Sequence, residues 1–134
     1  MSQIALVEII ERKFIHDGRG SFLKVMHGKE SGLPDSFGEI YTVVAKPREF
    51  RANHFHKIAN EWFTLLSGRA TLTLMDVVTG ERKVVALDAS QPITVKVPPM
   101  VAHSFFNDND DDFLLLAYSD YRYDPADTLP MNFD

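Results

Sequence analysis

The residue types that could do chemistry are concentrated in one stretch of the chain and one later block. The stretch reads His54-x-His56-x4-Glu61-x6-Gly68, and the block VPPMVAHSFFN adds His103. Imidazole nitrogens and a carboxylate oxygen at about 2.0 to 2.2 Å are what a divalent borderline ion prefers. We therefore predict a metal site of His54, His56, Glu61 and His103, for zinc, iron, manganese or nickel, which the residues alone do not rank.

The alternative is that these are ordinary polar side chains on the wet face of an antiparallel sheet. Three of the five histidines fall in the pattern together with a glutamate, which favours a shared site. If the segment around His54 and His56 is extended, both imidazoles leave the same face of a strand.

Length and composition bound the elements that must position these residues. The chain of 134 residues has room for one core, so we predict a single domain, residues 1–134. Its 45% hydrophobic and 25% charged residues are typical of a globular protein, and its apolar runs are too short for a membrane span. With no cysteine, thiolate chemistry and disulfides are excluded.

The chain is acidic, with 14 Lys and Arg against 19 Asp and Glu and a formal charge of −5. No basic cluster stands out, so we expect no nucleic-acid partner. The start, MSQIALVEIIERKF, lacks the features of a secretory signal, and we predict a cytoplasmic protein.

Short runs rich in β-branched and aromatic residues recur at intervals of about 8 to 12 residues, which predicts roughly nine or ten strands in a sandwich or barrel. A loop is predicted at 28–38 and a packed C-terminal tail at 120–134, and no long helix is expected. The predicted strands are 4–10, 21–26, 39–46, 61–66, 69–78, 83–87, 93–97, 103–106 and 113–118.

The two blocks resemble the two motifs of the cupin superfamily. The second block reads Pro98-x-Met100-x2-His103-x3-Asn107, with Met100 where those proteins usually have glycine, and Pro92 where their motif usually opens with glycine. The resemblance implies an all-β fold, a single-domain cupin jelly-roll barrel with a metal in its mouth. Cupins include enzymes and sensing domains, so the fold leaves the function open.

Further segments are similar to sugar-nucleotide cupins. DGRGSF at 17–22 and VPPMVAHSF at 97–105 resemble segments of dTDP-4-dehydrorhamnose 3,5-epimerases. RANHFHK at 51–57 resembles the R-G-x-H-A-H-K of dTDP-4-keto-6-deoxyglucose 3,4-ketoisomerases, with Ala52 for their glycine and Tyr41 where they have tyrosine. The cupin domain of the capsular fucosamine-synthesis enzyme is similar in its ligands and in the V-T-G-E at 78–81.

Two residues of the first block depart from these groups. Glu61 stands where the epimerases have lysine and the ketoisomerases glutamine, and His56 replaces the epimerases' glutamine. A carboxylate between histidines raises imidazole basicity and attracts a cation.

The resemblance implies an isomerase or epimerase that removes a proton next to the ketone of a nucleotide-linked 4-ketosugar, in surface-polysaccharide synthesis, without an organic cofactor. His54 or His103 would be the base and Tyr41 or Tyr118 the acid, while a metal or His56 would hold the enolate oxygen.

If all three histidines bind a metal, Tyr41, Lys57 or a metal-bound hydroxide must act as the base. Arg19, Arg51 and Lys57 are candidates for binding the substrate, because guanidinium groups match phosphate oxygens. For Arg19 a surface salt bridge is an equal alternative.

Two other classes of function stay open: a metal-dependent dioxygenase or hydrolase, and a non-catalytic sugar- or metal-binding cupin.

Small jelly rolls protect their sheet edges by pairing. We predict a C2 homodimer with the N-terminal strand exchanged or packed across the interface.

Overall fold

The computed structural model describes residues 2–30, 32–33 and 37–133. Within them the chain forms short strands and two 3-10 helices, Gln3–Leu6 and Pro125–Asp127. The strands are β1 Glu8–Glu11, β2 Phe14–Asp17, β3 Gly20–Leu23, β4 Glu39–Ala45, β5 Phe50–Phe55, β6 Glu61–Ser67, β7 Arg69–Asp76, β8 Arg82–Asp88, β9 Ile93–Val97, β10 Val101–Phe106, β11 Phe113–Ser119 and β12 Leu129–Pro130.

Two five-stranded antiparallel sheets face each other. One has the order β1-β9-β6-β11-β4 and the other β12-β5-β10-β7-β8. Apart from the consecutive pair β7 and β8, neighbouring strands within these two sheets are not consecutive in sequence, as in a jelly roll, where the chain crosses repeatedly between sheets. The prediction of an all-β, single-domain cupin barrel is confirmed.

The core lies between the sheets because apolar residues alternate along the strands. On β7, Ala70, Leu72 and Leu74 point inward and are at most 3% exposed, while the threonines between them are half-buried. The inner face of β11 adds Phe113 and Leu115. This period-two pattern is what a sheet with one buried face requires.

The N-terminal region departs from the predicted strands. Residues Gln3–Leu6 form a 3-10 helix, because the Ser2 hydroxyl caps the Ile4 amide and the Gln3 amide bonds to Asp76. The predicted strand 21–26 ends at Leu23. Beyond it the backbone is held by a side chain, since the Thr94 hydroxyl donates to the Val25 carbonyl at 3.2 Å.

The remaining strand predictions shift by a few residues at their ends. The hairpin partner β2 and the short β12 were not predicted. Of the predicted loop 28–38, residues 31 and 34–36 lie outside the described part. No helix in the described part of the chain has the length and apolarity to cross a bilayer.

Candidate functional site

The four residues of the predicted metal set lie together at one end of the barrel. His54 lies on β5, His56 directly after it, Glu61 opens β6, and His103 lies on β10. One ligand atom from each lies within 4.8 Å of every other. The ring centroids of His54 and His103 are 4.8 Å apart and those of His54 and His56 4.9 Å.

A β-bulge in β5 lies just before His54 and His56. Strand β10 pairs His103 with His54 but Ser104 with Ala52, which leaves Asn53 as the extra residue. Ala52 and Asn53 have φ of 78° and 56°, a left-handed pair that twists the strand. The bulge directs His54 and His56 toward His103.

The contacts within the cluster leave buried polar atoms unsatisfied, which is expected where a cation binds. Nε2 of His56 lies 2.7 Å, and Nε2 of His103 3.5 Å, from Oε1 of Glu61. Nevertheless, no hydrogen bond with acceptable angles satisfies any of these three buried atoms. Buried polar atoms without partners are rare in native proteins, and an unplaced ion is a recognised reason for them.

The other ring nitrogens, Nδ1 of His56 and of His103, explain why the Nε2 atoms lack hydrogen-bond partners. Nδ1 of His56 lies 2.7 Å from the Asp127 carbonyl, and Nδ1 of His103 3.4 Å from the Val101 carbonyl. A carbonyl only accepts, so each Nδ1 carries the proton and each Nε2 is left with a lone pair. Three acceptors then face one another and require a proton or a cation between them. Imidazole nitrogens together with a carboxylate oxygen form a donor set that fits a divalent ion.

The charges of the cluster are set by burial and by one another. Burial raises the pKa of Glu61, but His103 and His56 outweigh it and hold that pKa well below its usual range. Burial lowers the pKa of His56, and the Glu61 carboxylate overcomes this, so the pKa is raised. Burial and the neighbouring His103 and His56 lower the pKa of His54 to about 4.

Tyr41 reaches the cluster from β4. Its hydroxyl donates to Oε2 of Glu61. Ala117 lies between Tyr41 and Phe63 in the sheet register, and its small side chain leaves room for the tyrosine ring. Burial, and then the charge of Glu61, raise the pKa of Tyr41 far above its ordinary value, so Tyr41 keeps its proton at neutral pH.

Tyr118 is not brought to the site. Along β11 the inward positions are Phe113, Leu115 and Ala117, so Tyr118 leaves the opposite face of the sheet. There it packs on Trp62, with ring centroids 5.2 Å apart. The prediction that Tyr118 could supply a proton in the mouth of the barrel is wrong for this reason.

The three predicted anion-binding residues lie in different places. Arg51 lines a cavity of about 220 Å³ together with Tyr41, His54 and His103. Arg19 lies at the tip of the β2–β3 hairpin, where it pairs with Asp17 at 2.8 Å, and neither it nor Lys57 lines either cavity at the cluster. Lys57 contributes a backbone amide to Asp127 instead.

A larger cavity of about 310 Å³ opens on the other side of the cluster. Its wall includes four groups that sequence reasoning did not assign to the site: Glu39, Tyr121, Arg122 and Asp127. Glu39 follows from strand period, since it lies two residues before Tyr41 on the same inner face. The tail residues had no such signal.

A family profile and several solved structures resemble this chain. A sequence profile of the family described as polysaccharide biosynthesis C-terminal domain matches residues 15–129. No curated protein matches the chain in sequence.

Among solved structures, a dTDP sugar isomerase from Desulfovibrio desulfuricans G20 is 21% identical, with a TM-score of 0.87 over 96% of this chain and 85% of the other. The dTDP-6-deoxy-D-glucose-3,5-epimerase RmlC from Legionella pneumophila is 20% identical, with a TM-score of 0.86 over 98% of this chain and 76% of the other.

The capsular polysaccharide assembling protein CapF from Staphylococcus aureus is 23% identical, with a TM-score of 0.68 over 90% of this chain and 34% of the other. At these identities the likeness establishes the fold.

Proposed function

Because the chain belongs to the polysaccharide biosynthesis C-terminal domain family, we propose that it is an isomerase or epimerase of a nucleotide-linked 4-ketosugar in surface-polysaccharide synthesis. The observation that carries the proposal is the convergence of His54, His56, Glu61 and His103 where two cavities meet the cluster: the first three line the larger cavity, and His54 and His103 line the smaller one. Structures of similar fold belong to a dTDP sugar isomerase and a 3,5-epimerase bound to dTDP-4-keto-L-rhamnose, which supports the substrate class.

The reaction needs three functions in one cavity. A hydrogen on the carbon next to a ketone is acidic because the resulting carbanion delocalises as an enolate. An enzyme therefore needs a base for that hydrogen, a positive or donating group at the ketone oxygen, and an acid for reprotonation.

The cluster is suited to the ketone oxygen. His54, His56, Glu61 and His103 would hold a divalent ion, which when bound supplies positive charge that stabilises a developing oxyanion. The unpartnered Nε2 and Oε1 atoms support this arrangement. Without an ion, a proton shared between His56 and Glu61 could donate to the same oxygen.

Tyr41 is the acid in this proposal. It lines both cavities and keeps its proton. Tyr118 and Lys57 are dropped as proton carriers because neither lines a cavity at the cluster. His103 is dropped because it is only 1% exposed.

The proton acceptor depends on whether an ion is bound. With the histidines engaged as ligands, Glu39 is the remaining choice, because it lines the larger cavity, is half-buried and makes no side-chain hydrogen bond or ion pair among the described residues. With no ion, His54 is free to accept the proton, since it lines both cavities and its low pKa keeps it neutral.

Two arginines flank the cluster from opposite sides. Arg122 lines the larger cavity and Arg51 the smaller one. A guanidinium pairs well with diphosphate oxygens, so we assign the diphosphate to one of these two rather than to Arg19.

The proposed enzyme works in the cytoplasm as a homodimer.

The test is deuterium incorporation from D2O into dTDP- and UDP-4-ketosugars, with metal analysis of each protein. Glu39→Gln should keep the metal and lose exchange, whereas His54→Ala should lose both if the ion is present. Tyr41→Phe should slow product formation about a hundredfold or more while deuterium still enters recovered substrate. The exposed Glu81→Gln is the matched control.

Absence of exchange across the sugar panel would overturn the proposal. Tight sugar binding without exchange would point to a binding module, and oxygen consumption by the iron(II) form would point to a dioxygenase.

A further inference from the structure

The loop between β5 and β6 carries a metal ligand at each end, His56 and Glu61, and only four residues separate them. Such a loop has no strand ladder of its own. Its geometry decides how far apart the two ligand atoms lie.

Carboxylates from the C-terminal segment bind every backbone amide of this loop. Asp127 accepts from the amides of Lys57 at 2.7 Å, Ile58 at 3.0 Å and Ala59 at 3.1 Å. Asp120 accepts from the amide of Asn60 at 2.8 Å. The amide of Asp120 donates back to the Asn60 carbonyl at 3.1 Å.

The same segment also orients a ligand directly. The Asp127 carbonyl accepts from Nδ1 of His56 at 2.7 Å, which turns Nε2 toward Glu61. Asp127 is 4% exposed, so its carboxylate has been withdrawn from water and is satisfied by these amides. Outer-sphere hydrogen bonds of this kind fix ligand orientation.

We propose that Asp127, assisted by Asp120, is a positioning residue that clamps the loop 57–60 and thereby sets the spacing and tautomer of the ligands His56 and Glu61. The C-terminal segment therefore positions the ligands in addition to lining the cavity. This inference rests on the metal-binding part of the proposed function and is independent of the sugar chemistry.

Asp76 provides a matched control. It is also buried and also accepts from three backbone amides, those of Gln3, Val78 and Thr79. It lies at the end of β7, outside both cavities at the cluster. Removing it should destabilise the fold without reaching the ligands.

The experiment measures zinc affinity by competition with a chelator, on full-length protein well below its unfolding temperature. Asp127→Ala should weaken zinc binding by about 10- to 100-fold, and Asp127→Asn should fall between it and wild type, because an amide retains one acceptor oxygen. Asp76→Asn should bind zinc as wild type does. Equal affinity for Asp127→Ala and Asp76→Asn would overturn the proposal.

A second readout does not require zinc. In the metal-free protein, ¹⁵N spectra should show His56 with its proton on Nδ1, and the amides of residues 57–60 should exchange slowly. Both properties should be lost in Asp127→Ala and kept in Asp76→Asn. If wild type binds no zinc, the metal part of the proposed function fails, and these spectra alone decide whether the clamp exists.

Discussion

At the scale of single residues, four non-glycine residues of the described part have the positive φ that favours glycine, and two of them are Ala52 and Met100. Ala52 has φ of 78° and Met100 of 68°, and both stand where the resembling cupins carry glycine. A left-handed conformation costs an L-residue about 1 to 2 kcal/mol. At Met100 the backbone is held by a hydrogen bond from its amide to the His56 carbonyl at 2.8 Å.

We predict that Ala52→Gly raises the free energy of unfolding by about 0.5 to 1 kcal/mol, because glycine adopts this φ without strain. Denaturant unfolding measures the change. Ala70→Gly, at a buried strand position without positive φ, is the control and should destabilise. A loss of stability in Ala52→Gly equal to that control would contradict the prediction.

At the scale of elements, the turn after β7 depends on one carboxylate. Hydrogen bonds from the backbone amides of Gln3 and Thr79 lower the pKa of Asp76 to about 2, below the ordinary value of 3.8 for an aspartate. A depressed pKa contributes stability that is complete above the unfolded value and is lost as the pH falls through the folded value.

We therefore expect Asp76→Asn to cost about 2 kcal/mol at pH 7, and this difference from wild type should shrink between pH 4 and pH 2. Urea unfolding of both proteins across that range measures it. A difference that is independent of pH would mean that the charge of Asp76 contributes nothing.

Sequence patterns located some elements better than others, for physical reasons. The alternation along β7 predicted a half-buried strand of the barrel, and the spacing of His54, His56, Glu61 and His103 predicted side chains that the fold brings together. The face of Tyr118 could not be read, because the run 113–118 is apolar on both sides and has no period-two signal. Asp127 was missed because its partners are backbone amides seventy residues away, which no local pattern encodes.

At the scale of the whole molecule, the β2–β3 hairpin pairs with neither main sheet. It presents Ile15 and Phe22, which are 59% and 57% exposed. Exposed apolar side chains on a detached hairpin are typical of a surface that a second chain covers. They support the proposed homodimer.

We predict that sedimentation equilibrium at micromolar concentration gives a mass near twice 15.2 kDa. Ile15→Asp with Phe22→Asp should weaken the dimer at least about tenfold, because charges replace apolar contacts. Val84→Asp, at a comparably exposed position on β8, should leave it unchanged. A monomeric wild type would rule the dimer out.

The register that pairs His103 with His54 also determines when the cluster forms during folding. His54, His56 and Glu61 lie within eight residues of one another, whereas His103 lies 42 residues beyond Glu61, and non-local pairings form slowly because loop closure precedes any gain. An unfolded chain would offer an ion only the local group of His54, His56 and Glu61. The ion proposed for this cluster would therefore find its complete site only in the folded barrel, and it would favour the native state by mass action without guiding the chain toward it.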